Sequence, residues 1–320
     1  MKMRKYAALT IAGATLLAAC GSSAKTVTTT AGTAVATTVA GTATTAAGTA
    51  TTAAGTATTA AGTATTAAGA TVDCKPVTPG VLSVITSLPG PTWWGSTKAE
   101  VDPDSIKSGV EYDLANDIAA KCGLTMKFKN VGFDALVAGQ VAKETYDIAL
   151  SQVTITTDRA KVVDFSVGYY KSDQGILVKT GTKIATWADF KKLKIGVQAS
   201  TTAEYDFTSG TVPGMAIAGV KSYPDLSSAY AALNAGQVDA IVIDTAINLG
   251  EAKQSGGKLT VAAQFKTGEE YGAIFGKGSG KKAIFDPLIQ GLIDDGTINT
   301  LLGKYLGDPT TVAFIDVPAS

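Results

Sequence analysis

Twice between Val81 and Asp244 the chain alternates a short apolar run with a segment of helical period. That rhythm restricts its fold more than any other feature. "VLSVITSL" (81–88) reads as a buried strand, and "GVEYDLANDIAAKCGL" (109–124) sets Leu114, Ile118, Ala119 and Cys122 on one helical face before stopping at Gly123. "TMKFKNV" alternates as a strand, "FDALVAGQVA" reads as a short helix and "YDIALSQVTI" as the next strand. The pattern restarts with "LKIGVQA" (193–199), "TTAEYDFTS", "GVKSY", "DLSSAYAALNAG" and "VDAIVID" (238–244). A helix "TAINLGEAKQSG", the strands "KLTVAAQF" and "YGAIFGKG", and two closing helices follow. Strands alternating with helices make parallel sheets with helical crossovers. Two such units in series predict an α/β chain of two lobes with a cleft between them, and ligands of open α/β sheets sit at the carboxyl ends of strands.

What precedes this region is of another kind. "MKMRK" is a basic start, "YAALTIAGATLLAA" an apolar run too short to span a bilayer comfortably, and "LAAC" (17–20) resembles a bacterial lipobox. The expectation is a signal peptide over 1–19 and a diacylglycerol on Cys20, placing the protein outside the cytoplasm on the bacterial membrane. Residues 21–72 are Thr/Ala/Gly, with "GTATTAA" four times in succession from Gly41 to Ala68 and Lys25 as the only charge. Such a segment cannot bury enough surface to offset its chain entropy. It reads as a disordered tether of roughly 40 Å r.m.s. reach.

Loss of Lys2, Arg4 and Lys5 with residues 1–19 takes the basic count from 27 to 24 against 27 acidic residues, a net charge of −3. Nucleic acid is therefore not an expected partner. The chain has no histidine, which removes the commonest acid–base residue and zinc ligand, and no metal or cofactor is expected. Cys74 and Cys122 remain as an even pair in an oxidising compartment, so a disulfide is expected.

Arg159 is the sole arginine left after removal of residue 4; every other basic side chain is lysine. A guanidinium offers a planar fork that grips a carboxylate through two hydrogen bonds. Arg159 follows the "YDIAL" strand with Thr154 and Thr156, the latter a candidate N-cap. In the second unit Ser200, Thr201 and Thr202 stand where a strand turns into a helix, a place that favours an anion. Asp244 closes the apolar strand "AIVI", and Trp93 with Trp94 lies on a Pro/Gly loop, where an adjacent pair is expected to wall a pocket. A carboxylate fork, a carboxylate for a cation and aromatic walls together describe a site for a free α-amino acid.

The blocks "GVEYDLANDIAAKCGL", "FDALVAGQVAKETYDIAL", "TITTDRAKVVDFSVGYY", "KIGVQASTTAEYD", "AALNAGQVDAIVID" and "YGAIFGKG…LIDDGTINTLLGKYLG" resemble, in order, those of the extracellular solute-binding proteins, family 3. The resemblance runs from about Val81 to Gly307. It implies a type II periplasmic-binding-protein fold whose two lobes are joined by two hinge crossovers, near Tyr170–Leu177 and Phe265–Tyr271. Lobe 1 is expected over 73–172 and 270–320, lobe 2 over 173–269. The resemblance further implies a monomeric receptor that delivers an amino acid to an ABC permease. Arg159 would grip the α-carboxylate with Thr154, Thr201 and Thr202 nearby, and Asp244 would hold the α-ammonium. Ser87 and Gln152 join the ligand-binding set. Two departures are notable: serine at 200, where the family often has glycine, and Ser87 where the first strand often ends in an acidic residue. The second, with no further arginine, favours a polar or aromatic neutral ligand. An enzyme on the same fold, such as a cyclohexadienyl-dehydratase-like protein, would need an acid, with Asp244 and Glu111 as candidates; a sensor is a third reading. The sequence favours a binding protein over both.

Overall fold

The computed structural model describes residues 71–98 and 100–318; the expected signal peptide, Cys20 and nearly all of the expected tether lie outside the described residues. Eight strands form one sheet in the order β2-β1-β3-β8-β4-β7-β5-β6. β1 (Val81–Thr86), β2 (Thr125–Asn130) and the two-residue β3 (Ile148–Ala149) run parallel at one end. β5 (Ile195–Gln198), β6 (Lys221–Tyr223) and β7 (Ala240–Asp244) run parallel at the other. Between them β4 (Val163–Lys179) and β8 (Leu259–Gly276) pair antiparallel along nearly their whole lengths, so they belong to both halves. No described helix is long and apolar enough to cross a membrane.

Helices cover both faces of the central strands, which is why β5 and β7 are buried along their whole length, while the edge strand β2 alternates. In β7 every residue is buried: Val242 packs with Ile176, Val178 and Phe207, while Ile241 and Ile243 turn to the opposite face with Ala229 and Ile247. α1 (Val110–Lys121) buries Val110, Leu114, Ala115, Ile118 and Ala119, and ends at Gly123, whose φ of 65° is the left-handed conformation that closes helices. α2 (Phe133–Val137) and the single turn α3 (Trp187–Phe190) are short. α4 (Thr202–Thr208) and α5 (Leu226–Asn234) start at caps: Thr201 Oγ1 accepts the Glu204 N–H at 3.1 Å, and Asp225 Oδ1 accepts the Ser228 N–H at 2.8 Å. α6 (Thr245–Gln254), α7 (Lys281–Asp294) and α8 (Thr297–Tyr305) complete the layers.

Two features differ from the sequence reading. "KLTVAAQF" and "YGAIFGKG" are one strand, not two. The polar link Lys266–Glu270 looks like a turn, but Asp173 Oδ1 accepts the Thr267 and Gly268 N–H groups at 2.8 and 2.9 Å. With Gly268 at φ 66°, the link becomes a clasped bulge and the ladder continues beyond it. The second difference is the tail. Residues 270–320 were expected to return whole to lobe 1, yet Ile315 is buried with Val197, Phe207 and Phe265 of the second unit. Gln264 N–H bonds Ala313 O at 2.9 Å and Ile315 N–H bonds Gln264 O at 2.9 Å. Burial of Ile315 and pairing with β8 outweigh the return.

Cys74 and Cys122 form a disulfide across 48 residues, tying the entry to β1 to the end of α1. Lys281 supports the same corner, its Nζ bonded to buried Asp147 at 2.7 Å. Closing a loop of this length stabilises by about 2–4 kcal/mol, and each kcal/mol moves the midpoint by about 2–4 °C at this size. The double variant Cys74→Ser/Cys122→Ser is therefore expected to melt roughly 4–16 °C lower. A drop under 2 °C in a thermal scan would show that the bridge restrains nothing the fold does not already hold.

Candidate functional site

Arg159 begins a 3-10 turn, Arg159–Lys161, directly before β4; Thr156 Oγ1 accepts its N–H at 3.2 Å, but the cap position of the turn is Asp158, whose side chain makes no capping hydrogen bond, rather than Thr156 as expected. The side chain is 8% exposed. Its Nη1 donates to Thr154 O at 2.8 Å and its Nη2 to Ser200 O at 2.9 Å, so the guanidinium joins loops from the two halves of the sheet. Its carbon lies 5.7 Å from the centre of the Phe133 ring. Burial pushes its pKa down, opposed by the charges of Glu269 and Asp244. Among the described residues, two of the five N–H donors of the guanidinium are thus used.

Ser200 adopts φ 63°, a conformation glycine takes freely and serine rarely. Its N–H donates to Glu204 Oε2 at 2.7 Å, which holds the turn and aims its carbonyl at Arg159. The serine thus gives the backbone shape that the resemblance associates with glycine. Thr201 spends its hydroxyl on the helix start, donating to Gln198 O at 2.7 Å.

Asp244 ends β7 with its carboxylate buried, and its Oδ1 has no hydrogen-bond partner among the described residues. Burial, then the charge of Glu269, pushes the Asp244 pKa up to about 7, while the Tyr271 and Ser172 hydroxyls pull it down. An unpaired buried carboxylate oxygen is costly. A cation placed against it would remove that cost.

Glu269, on β8 just past the bulge, was missed by the sequence reading. Its Oε2 accepts the Thr154 hydroxyl at 2.6 Å and the Thr202 hydroxyl at 2.8 Å, one from each half; Oε1 accepts from Gln174 Nε2 at 2.7 Å and Thr267 Oγ1 at 3.0 Å. The hydroxyls of Thr154 and Thr202 are therefore committed to a protein carboxylate. The sequence offered no signal for it, since its partners Thr154 and Thr202 are 115 and 67 residues away.

Arg159, Asp244, Thr154, Thr201, Thr202, Ser87 and Gln152 all line one cavity between the two halves, with about 20 Å³ of open space. Leu88, Phe133, Leu226 and Ile247 supply its apolar wall, and none of them was singled out by the sequence. The halves touch beside it: a Cβ on Gly250 would stand 2.9 Å from Thr92 Oγ1.

Trp93 and Trp94 do not wall this cavity, contrary to the sequence expectation. Both are fully buried in the core of the first unit. Trp93 packs edge-on against Tyr170 and Tyr271, and Trp94 against Tyr112 and Phe128. Gly109 explains the placement, because a Cβ there would stand 2.3 Å from Trp93 O; the loop lies flush on the start of α1. Glu111, the other candidate acid, is not among the cavity-lining residues and accepts hydrogen bonds from Trp94, Gln152 and Tyr169.

Comparison with known proteins accords with this architecture. The L-cystine-binding protein TcyJ of Escherichia coli (strain K12) is 31% identical over 212 residues, covering 65% of this chain and 77% of that protein. A probable histidine-binding protein of Campylobacter jejuni subsp. jejuni serotype O:2 is 30% identical over 205 residues, 63% of this chain and 78% of its own. Among solved structures, an ancestral arginine-binding protein bound to arginine superposes with a TM-score of 0.61 at 30% identity, covering 71% of this chain and 99% of that one. These relatives are binding proteins, not enzymes, and the fold they share is the type II periplasmic-binding-protein fold. The family model for bacterial extracellular solute-binding proteins, family 3, matches residues 99–308, and the chain belongs to that family.

Proposed function

We propose that this protein captures a free amino acid between its two lobes outside the cytoplasm and delivers it to an ABC importer. The observation that carries the reading is the pairing, among the described residues, of Arg159, with spare N–H donors, and Asp244, with an unpartnered oxygen, across one cavity at the strand ends. In this reading the ligand α-carboxylate meets Arg159 and the first N–H groups of α4, and the α-ammonium meets Asp244. The named relatives that bind cystine, histidine and arginine support the substrate class. The expected preference for a polar or aromatic neutral ligand rested on Ser87 and on the lack of a second arginine, and Trp93 and Trp94 add no aromatic wall to the cavity. Ser87, Ser151 and Gln152 at the cavity instead suit a polar side chain. We assign 73–172 with 270–308 to lobe 1 and 173–269 with the tail to lobe 2. Lipid on Cys20 would hold both on the outer face of the membrane through the 21–72 tether.

A thermal-shift panel of amino acids, cystine included, against residues 73–320 tests the reading. A ligand that binds only the folded form stabilises it by about 2.7 kcal/mol at a hundredfold excess over Kd, so the right amino acid should raise the midpoint by about 5–10 °C. The α-amide and the deaminated analogue of the hit should both fail. Hits confined to sugars, metals or dicarboxylates lacking an amine would refute the amino-acid reading and leave the fold untouched.

A further inference from the structure

Gln152 follows β3 with φ 50°, so its backbone turns sharply before Thr154. What holds it is Glu111, in the first turn of α1 and 0% exposed. Glu111 Oε1 accepts the Gln152 N–H at 2.8 Å and the Tyr169 hydroxyl at 2.5 Å. Its Oε2 accepts Trp94 Nε1 at 2.8 Å and also the Gln152 side-chain amide. Glu111 already accepts the Gln152 main-chain N–H on one oxygen and the Trp94 indole N–H on the other, and the amide turns its NH₂ toward it as well. The amide oxygen then faces away. It lies 3.6 Å from where a Cβ on Gly90 would stand, beside the cavity that Ser87, Ser151 and Gln152 line. No hydrogen bond from the described residues takes up that oxygen. Turning the amide over would set its oxygen against the buried carboxylate.

We propose that Glu111 and Gln152 together make the side-chain end of the cleft a hydrogen-bond acceptor, so that the protein selects amino acids whose side chain offers an N–H or O–H donor and rejects those ending in a carboxylate. Gln152 touches the ligand; Glu111 is a positioning residue that acts through it. This rests on the amino-acid reading above. A site built around one polar partner discriminates strongly, because the wrong ligand leaves buried groups unpaired.

Calorimetric titration with the twenty standard amino acids and cystine tests it. The tightest titrant is expected to carry a side-chain donor, and glutamine and asparagine are each expected to bind at least tenfold tighter than the matching acid. Gln152→Met, which keeps length and flexibility without the amide, should weaken the tightest titrant at least fivefold. Glu111→Gln can donate to a turned-over Gln152, so it should bring the amide-to-acid ratio toward one; if it does not fold, Gln152→Met carries the test alone. A tightest titrant without a side-chain donor, a preference for the acids, or a smaller loss in Gln152→Met would overturn the proposal. Binding of no titrant at all would instead remove the amino-acid reading on which it rests.

Discussion

Arg159→Lys is expected to abolish measurable ligand binding in a protein that still folds. Among the described residues Arg159 bonds two main-chain carbonyls, Thr154 O and Ser200 O, one on each half, and still has donors to spare. An ammonium is a point charge with three donors and no planar fork, so it cannot hold both carbonyls and a carboxylate at once. Breaking a desolvated, hydrogen-bonded charge pair costs about 2–5 kcal/mol, roughly 30- to several-thousand-fold in affinity. Folding should survive, because lysine keeps the charge beside Glu269 and the hydrophobic clusters do not include residue 159. Calorimetry on the hit from the thermal panel, with circular dichroism to check folding, decides it. A loss under threefold would end the clamp assignment.

Asp244→Asn should lose binding on the same scale and alter the pH dependence as well. Burial and Glu269 push Asp244 up to about 7, from an ordinary value of 3.8. The folded protein therefore holds a proton there that the unfolded chain has released between about pH 4 and 7. Across that window the stability supplied by Asp244 falls as pH rises. A ligand ammonium beside Asp244 favours the ionised form, so binding near neutrality releases protons and tightens as pH rises through about 7. Glu111 and Asp206 are also pushed up to about 7, in both cases chiefly by burial, so the variant is compared with the parent at each pH. The substitution would cost about 2–5 kcal/mol of binding, remove this share of the proton release, and raise ligand-free stability above pH 7. Equal proton release in parent and variant, read from titrations in buffers of different ionisation heat, would mean that Asp244 does not meet the ammonium.

The architecture was legible because it rests on local patterns. Apolar runs such as Ala240–Asp244, capped helix starts at Thr201 and Asp225, and the Leu114/Ile118 spacing each encode one element, and their order encodes the α/β units. The arginine at 159 stood out through composition and Asp244 through its place at a strand end, and both line the same cavity. The disulfide followed from an even cysteine count outside the cytosol.

What the linear chain did not carry were contacts between residues far apart in it. Trp93 and Trp94 looked like pocket walls because a Pro/Gly loop surrounds them; whether that loop faces the cleft or α1 depends on Gly109, 15 residues beyond Trp94, which lets the backbones meet. Glu269 was not singled out by the sequence, because the Asp173 clasp on β8 sets it between Thr154 and Thr202, 115 and 67 residues away. Gln152 had no visible orientation, since an amide reads the same from either end until Glu111 takes its nitrogen, 41 residues off. Periodicity and composition determine which segments fold and which face they bury. The direction of a polar side chain at the site depends on partners that only the closed tertiary structure brings within about 3 Å, because hydrogen bonds act over a single bond length and hydrophobic patterning acts along the chain.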